Sequence, residues 1–518
     1  MHVSLLFRCA AVGVAALAVT GCVTRDKGAD PAVALPSRWS SGATAESSRP
    51  PADLANWWRR FRDPQIDRLV QSALASNPGL DEARERVIAA RALARAQGAQ
   101  RLPIVDGAAA ATVTSRLSGP AGGLNAAGED YFGDSPRRTV GTFQAGFDAR
   151  WELDFFGRLS SAANAAERAA EVITEEAREA RLSLAAEVVR TYFELRGALG
   201  RRAVIQREIM ARQNLVSLVR AQQVAGSSGE FDVQRARATY EAARARAPAA
   251  DLAVRTALHR LATLTGSTRA DQSLLRGGRS AGYSVPAIGP VPATILRWRS
   301  DIRRAEQLIL QRGAEADVAY AELFPRFNLA GTLDIAGNLI ARPILGTPIT
   351  LSGGPGVTIP LFDWGMRNNV LRAREAQWRE AVAGYRGTVL RAVEDVEISL
   401  ATIRTTRARV DRQRTAVSAA NSAFTLADRQ YRGGLTGLTE RLQAETDLRQ
   451  AELDLAEASE QAAVANVGLF KALGAPAETV SVLPPAVVPD GASPAGPGIP
   501  IIPPPSPINV SSAEQVRP

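Results

Sequence analysis

The chain repeats itself. Leu261-Ala262-Thr263-Leu264-Thr265-Gly266 returns as Leu469-Phe470-Lys471-Ala472-Leu473-Gly474, 208 residues on (474 − 266). Phe156-Gly157 and Trp364-Gly365 keep that offset, and so do Ala236 and Ala444, each seven residues after a glycine, Gly229 or Gly437. Further upstream the offset is 222 (325 − 103). There Leu102-Pro103 matches Phe324-Pro325, and Pro78-Gly79-Leu80-Asp81-Glu82-Ala83 matches Ser300-Asp301-Ile302-Arg303-Arg304-Ala305. A duplicated chain is restricted to architectures that one unit builds by repetition. The difference between the offsets (222 − 208) puts 14 extra residues in the first copy, and the Gly-, Pro- and Asp-rich run Gly119 to Arg138 is the place for them.

Each copy reads as helix, strand pair, very long helix, helix. In the second strand Phe143, Ala145, Phe147, Ala149, Trp151 and Leu153 alternate with Thr142, Gln144, Gly146, Asp148, Arg150 and Glu152. Phe327, Leu329, Gly331, Leu333 and Ile335 alternate with Asn328, Thr332 and Asp334, and Ile349, Leu351, Val357, Ile359 and Leu361 with Thr350, Ser352 and Thr358. The stretch Ile104 to Arg116 is Ala-rich and the weakest of the four. Period-2 alternation suits a membrane barrel with a wet lumen; a soluble half-buried sheet alternates in the same way. Aromatic residues concentrated on one strand face of an otherwise aromatic-poor chain favour lipid.

The helices are long. No proline occurs between Arg137 and Ala247 or between Leu361 and Ala475. Val389, Val393, Val396, Leu400, Ile403, Val410, Val417 and Phe424 form a coiled-coil seam, interrupted by Arg407 and Arg414. As one helix, 367–431 would span roughly 100 Å. Gly226-Ser227-Ser228-Gly229 and Gly433-Gly434 then reverse the chain into second helices. Pro248 lies in the first return helix with no counterpart at Ala456 and predicts a kink there.

The expected organisation follows. Residues 1–21 are a signal peptide and 22–52 a lipid-anchored N-terminal segment. The first repeat is 53–266, with strands about 102–116 and 139–155 and a helical hairpin about 158–266. A linker, 267–291, leads to the second repeat, 292–474, with strands about 324–337 and 349–362 and a hairpin about 365–474. Residues 475–518 are a Pro-rich tail, extended or disordered.

The N-terminal reading rests on Arg8, the apolar stretch Cys9 to Val19, and Thr20-Gly21-Cys22. The stretch is too short to span a bilayer as a helix. A small residue before Cys22 fits lipoprotein processing at that thiol, and an ordinary signal peptide with an incidental Cys is the alternative. Val23 after the Cys resembles lipoproteins sent on to the outer membrane. Once the signal is cut, Cys22 and His259 are the remaining Cys and His, so neither an internal disulfide nor a His-rich metal site can be built. His259 reads as a surface or packed helix residue, and no catalytic residue, metal or cofactor is expected. The 62 basic and 53 acidic side chains are interleaved along helices. That is a solvated helical surface rather than a nucleic-acid site.

Four strands of about ten residues suit a bilayer crossing. Four cannot close a barrel, and an open edge in lipid is not viable. Several chains must therefore pool their strands, in a multiple of four.

These residues resemble the TolC-type outer membrane factor family, in its lipid-anchored NodT-like efflux branch, from about Trp57 to Gly474. The motifs are Trp57-Trp58 with Phe61-Arg62-Asp63-Pro64; Ala73-Leu74 with Asn77-Pro78; Trp151-Glu152-Leu153-Asp154-Phe155-Phe156-Gly157-Arg158; and Pro360-Leu361-Phe362-Asp363-Trp364-Gly365. Ser300-Asp301-Ile302 stands where relatives often have Pro-Asp-Ile. The resemblance implies a mostly α chain that contributes four strands to a shared 12-stranded barrel in a homotrimer, above a periplasmic α-helical tunnel. It also implies a periplasmic adaptor (membrane fusion) protein and an inner-membrane pump of the RND type as partners, in an efflux duct of the outer membrane. The family closes its tunnel where the hairpins turn. Aligning Tyr431 and Gly434 with that tip places Glu440 at a pore-facing acidic position. Gln443 and Thr436 stand where some relatives carry a second acid and a basic residue. A ring of Glu440 carboxylates would favour cations and resist closure; from the residues alone Glu440 reads equally well as a solvated helix residue. A secretion duct with other partners, a periplasmic coiled-coil adaptor and a lipid-anchored enzyme are the competing functions. The enzyme lacks a convergent titratable cluster, and the adaptor would lack the duplicated strand pairs.

Overall fold

The computed structural model describes residues 39, 56–115, 139–276, 293–338 and 349–474. Cys22, the loop from Gly119 to Arg138 and the segment 475–518 lie outside them. A 3-10 turn, Trp57–Phe61, precedes α1 (Pro64–Ser76) and α2 (Pro78–Ala99). Strands β1 (Ile104–Ser115) and β2 (Thr139–Leu153) follow, then α3 (Arg158–Val224) and α4 (Glu230–Leu264). The second copy gives α5 (Ser300–Ala321), β3 (Arg326–Asn338), β4 (Ile349–Thr358), α6 (Met366–Arg432) and α7 (Leu438–Ala472). The two long helices each have 67 residues and the two return helices 35. Each long helix is therefore about 100 Å long. The expected kink at Pro248 falls inside a single continuous helix, α4.

The four strands form one antiparallel sheet in the order β1-β2-β3-β4. Its register sets an apolar face against one that carries the charged and hydroxyl side chains, with Ile104 a large apolar exception opposite Arg150. Phe147 lies between Gly107 and Leu333, which in turn pairs with Leu351. One step along, Asp148 lies between Asp106 and Thr332, and Thr332 pairs with Ser352. A slip of one residue would put every side chain on the wrong face. Arg150 bridges to Asp106 at 2.6 Å and the Thr332 and Ser352 hydroxyls meet at 2.6 Å, so the polar face is tied across strands. On the other face Phe147, Leu351 and Ile349 stay exposed in the protomer. The ladder of β4 ends at Thr358, short of the expected 362, because its partner Arg326 is the first residue of β3 and Asp363 already serves the next helix. Among the described residues, no helix is long and apolar enough to cross a membrane.

The family-like motifs turn out to be joints. Asp154 accepts the amides of Leu159 (3.0 Å) and Ser160 (2.7 Å) at the start of α3. Asp363 does the same for Gly365 (3.0 Å) and Arg367 (3.3 Å) before α6. Each carboxylate satisfies amides that the helix leaves free and meets the positive end of its dipole. Trp57 stacks on Phe470 with centroids 5.1 Å apart, Phe61 sets its edge on Phe193, and the Tyr192 hydroxyl donates to Asp63 at 2.6 Å. That core binds the N-terminal turn to α3 and α7. Burying each such ring contributes about 1.5–3 kcal/mol. Asn77 caps α2 through the Gly79 amide (2.9 Å) and donates to the Leu264 carbonyl (2.9 Å). Gly266, at φ +68°, closes against it so tightly that a Cβ would sit 2.1 Å from the Ser76 carbonyl oxygen. Gly474 repeats the device against Arg299.

Candidate gate at the hairpin ends

Each hairpin ends in a glycine-terminated helix. Gly226 and Gly434 adopt positive φ, and the amides of Ser227 and Leu435 reach back to the carbonyls of Gln222 and Gln430, both at 2.9 Å. Only glycine takes this backbone without strain. The two ends share a small apolar core. Leu215, Val216 and Val219 of α3, Val233 and Ala236 of α4, and Leu438 and Leu442 of α7 pack together, with Tyr240 and Tyr431 half-buried against them. Helix α7 thus joins the two hairpins.

Polar links cross the same junction. The Tyr431 hydroxyl donates to Gln222 Oε1 at 2.8 Å, and burial pushes its pKa up, so it remains a donor. Arg235 of α4 donates to Thr439 Oγ1 at 2.6 Å. One turn further in lies a layer of buried charge. Arg441 donates to Asp428 of α6 at 2.7 Å and to Glu445 at 3.4 Å, with its guanidinium 5.5 Å from the Phe424 ring centroid. Glu445 is fully buried, and burial pushes its carboxyl above the ordinary 4.5 against the pull of Arg441, Arg212 and Arg449. In α3, Arg212 pairs with the buried Glu208 at 2.8 Å, and Arg246 of α4 reaches the same carboxylate. Arg212 also donates to Thr446 Oγ1 at 3.4 Å.

The four residues expected at this gate are not one cluster. Tyr431 belongs to the shared core. The Thr436 hydroxyl oxygen is buried in the turn without a hydrogen-bond partner. Glu440 and Gln443 lie on the exposed face of α7, where Gln443 donates to Asp447 at 2.9 Å. That face carries Glu440, Gln443, Asp447, Gln450, Asp454, Glu457 and Gln461, spaced alternately by three and four residues. It is one stripe with four acids and no base. Sequence reasoning missed Gln222, Arg235, Arg441 and Glu445. The one signal for the last two was the Arg441/Glu445 spacing of four, which surface helices share.

The family model described as outer membrane efflux protein matches residues 69–267 and 291–475. Outer membrane protein OprJ of Pseudomonas aeruginosa is 30% identical over 446 residues, 86% of this chain and 91% of its own. Nodulation protein T of Rhizobium leguminosarum bv. trifolii is 26% identical over 86% of this chain and 92% of its own. The solved structure of the outer-membrane channel OprN superposes with a TM-score of 0.73 at 27% identity, covering 86% of this chain and 98% of that one.

Proposed function

The chain belongs to the outer membrane efflux protein family, and from that premise we propose that it works as the passive exit duct of a tripartite efflux system, fed by a periplasmic adaptor and an inner-membrane pump of the RND type. It is an outer membrane efflux channel with a large periplasmic portion, and three copies pool their strands in a 12-stranded barrel. The observation that carries this reading is the sheet: one apolar face held in register across all four strands, with β1 and β4 left as edges. An edge in lipid costs several kcal/mol for each unpaired group, and three-fold pooling abolishes it. Phe147→Arg should impair insertion at a cost of about 2–4 kcal/mol, whereas Asp148→Arg should insert and change only conductance. The check is heat-modifiable migration of outer-membrane fractions. Equal effects of the two substitutions would argue against a barrel strand.

Cys22 is the proposed lipid attachment point, supported by Thr20-Gly21-Cys22 after the short apolar stretch. Intact mass of the mature N-terminal peptide tests it: an unmodified peptide, or one starting elsewhere, rejects it. The hairpin ends, with Tyr431, Thr436, Glu440 and Gln443, are the proposed periplasmic gate. Glu440 is the outermost acid of the α7 stripe, and a stripe copied three times makes stacked rings of negative charge. Glu440→Gln should lower cation preference in single-channel recordings while leaving trimer assembly unchanged. Unaltered selectivity would place the gate elsewhere.

A further inference from the structure

Where α2 meets the sheet, a groove runs between α2 and the first turns of α3. Its upper part, a cleft of about 680 Å³, is lined by Leu102, Trp151, Leu153 and Phe155 at the strand end and by Arg95 and Arg101. Its lower part shares Arg95 and Arg101 and adds Arg91 on the α2 wall and Glu167 and Glu171 on the α3 wall. None of these five charged side chains makes an ion pair among the described residues. The nearer acids are spent: Glu152 is held bidentately by Arg158 at 2.8 and 2.7 Å, and Asp154 caps α3.

The order along the groove is what matters. Helix α2 rises toward the sheet and α3 descends from it, so depth follows from the helical rise. Arg101 lies level with Ser160 at the top. Arg95 and Glu167 lie about 10 Å below it, on opposite walls. Trp151 belongs to the apolar face of the sheet by register and donates its indole N–H to the Arg101 carbonyl at 2.9 Å, so the groove opens on the lipid side. Phe155 and Phe156 are exposed at this junction, and Phe362 and Trp364 at the matching junction of the second copy; aromatic rings of this kind mark the interface of a bilayer. From sheet to periplasm the groove therefore offers apolar and aromatic surface, then the Arg101 guanidinium, which donates to the Gly98 carbonyl but has no acid partner, then Arg95 on one wall across from Glu167 on the other. Acyl chains, a phosphodiester and an ammonium group come in the same order in an aminophospholipid.

We propose that this groove binds the headgroup of a zwitterionic aminophospholipid of the periplasmic leaflet, with Arg95 and Arg101 on the phosphate and Glu167 on the ammonium. The reading rests on the barrel assignment above. Guanidinium groups suit a phosphodiester through paired N–H donors, and a carboxylate completes a primary ammonium that a purely basic patch would repel. The second copy supplies an internal control. At the 222-residue offset Arg91, Arg95 and Arg101 become Gly313, Asp317 and Leu323. The second junction has no basic wall at these positions, so the expected stoichiometry is three lipids per trimer rather than six.

The test is native mass spectrometry of purified trimers in detergent with added phosphatidylethanolamine, phosphatidylcholine or phosphatidylglycerol, and with inorganic phosphate as competitor. Phosphatidylethanolamine should be retained up to three per trimer, and better than phosphatidylcholine, whose quaternary nitrogen donates no hydrogen bond. Arg95→Gln with Arg101→Gln should weaken retention roughly thirty-fold, at about 1 kcal/mol for each arginine. Glu167→Gln should weaken phosphatidylethanolamine and leave phosphatidylglycerol unchanged or tighter. Equal retention of all three lipids, indifference to the arginine pair, or displacement by millimolar phosphate would overturn the proposal. So would phosphatidylglycerol binding as tightly as phosphatidylethanolamine with no response to Glu167→Gln. The same samples are run unheated on gels and assayed for conductance. Conducting trimers without lipid reject the groove alone, whereas failure to form trimers or to conduct rejects the barrel reading.

Discussion

The two helical hairpins share one plan and differ in what they expose. Both have 67- and 35-residue arms, and both turn through a positive-φ glycine 208 residues apart (434 − 226). The acidic stripe of α7 has its counterparts in α4 at the same offset: Asp232, Arg235, Thr239, Ala242, Arg246, Ala249 and Ala253. One acid survives, and Arg235 and Arg246 turn to other hairpin partners, Thr439 and Glu208. Arg441, which holds Asp428 and Glu445, stands where the first hairpin has the buried Val233. The duplicated backbone is kept while one hairpin becomes a brace and the other carries charge toward open space. The backbone alone therefore does not tell the two hairpins apart; the side chains do.

The largest test of that division removes the clasp. Arg441→Ala removes the cation that bridges Asp428 and the buried Glu445, leaving Asp428 to Arg432 and Glu445 to Arg212 and Arg449, and should destabilise the α6–α7 end by about 2–3 kcal/mol. Val233→Ala at the matching place should cost only about 1–2 kcal/mol of packing. Native-state hydrogen exchange of peptides spanning 424–448 and 216–240 compares the two directly. Comparable losses would mean that the hairpins are held alike.

A smaller change makes the second hairpin resemble the first. Gln443→Arg installs the residue that the first hairpin has at position 235, and adds three cations to the trimer's acidic stripe. Cation preference should fall in planar-bilayer recordings, while Arg235→Gln should leave selectivity alone and loosen the contact to Thr439. If both variants conduct like the parent, the stripe does not line the ion path.

Tyr431→Phe deletes the hydroxyl that reaches Gln222 and keeps the ring in its apolar seat. One hydrogen bond of about 1 kcal/mol corresponds to roughly a five-fold shift toward opening. The single-channel open fraction reports it, and an unchanged fraction would mean that the hairpins separate elsewhere.

The smallest effect should come from pH. Glu445 faces Arg441 and Arg449 on its own helix, Arg212 and Glu208 on α3, Arg246 through Glu208, and Asp428 through Arg441. Burial raises its pKa above the unfolded 4.5, so the folded state takes up a proton first. The stability this contributes is fully present below 4.5 and is lost as pH rises through the folded value. Exchange protection of 438–448, corrected for intrinsic rates, should therefore rise as a neutral sample is acidified toward 5, and Glu445→Gln should flatten the response. A parent that loosens on acidification would contradict the sign.

How much of this was readable beforehand divides along physical lines. The strand faces were legible because period-2 alternation needs only neighbouring residues. The long helices were legible because proline is absent over more than a hundred residues, and the hairpin ends because glycines mark turns, whereas Asp154 and Asp363 were read only as parts of family motifs and their capping of α3 and α6 came from the structure. The Ala-rich β1 reads weakly as a sequence, yet pairs with β2 from Ile104 to Ser115, its register set by its partner rather than by its own side chains. At the candidate gate, Glu440 and Gln443 were found as exposed helix positions, but the clasp was not. Arg441 and Glu445 look like any surface pair. What buries them is α3, more than two hundred residues earlier in the chain, and no local pattern announces that approach. The arginine groove was hidden for the same reason, since its two walls are separated by a strand pair.

The sheet's two bare edges tie insertion to encounter between chains. A lone protomer entering the bilayer would carry the unpaired ladder groups of β1 and β4 with it, so the membrane-spanning part cannot mature chain by chain. It waits for three copies, and the rate of its appearance should depend steeply on local subunit concentration while the helical arms fold at their own pace. The same dependence makes the assembly vulnerable to dilution by defective copies. With equal amounts of parent and edge-disrupted chains mixing at random, about one trimer in eight would be free of a faulty edge.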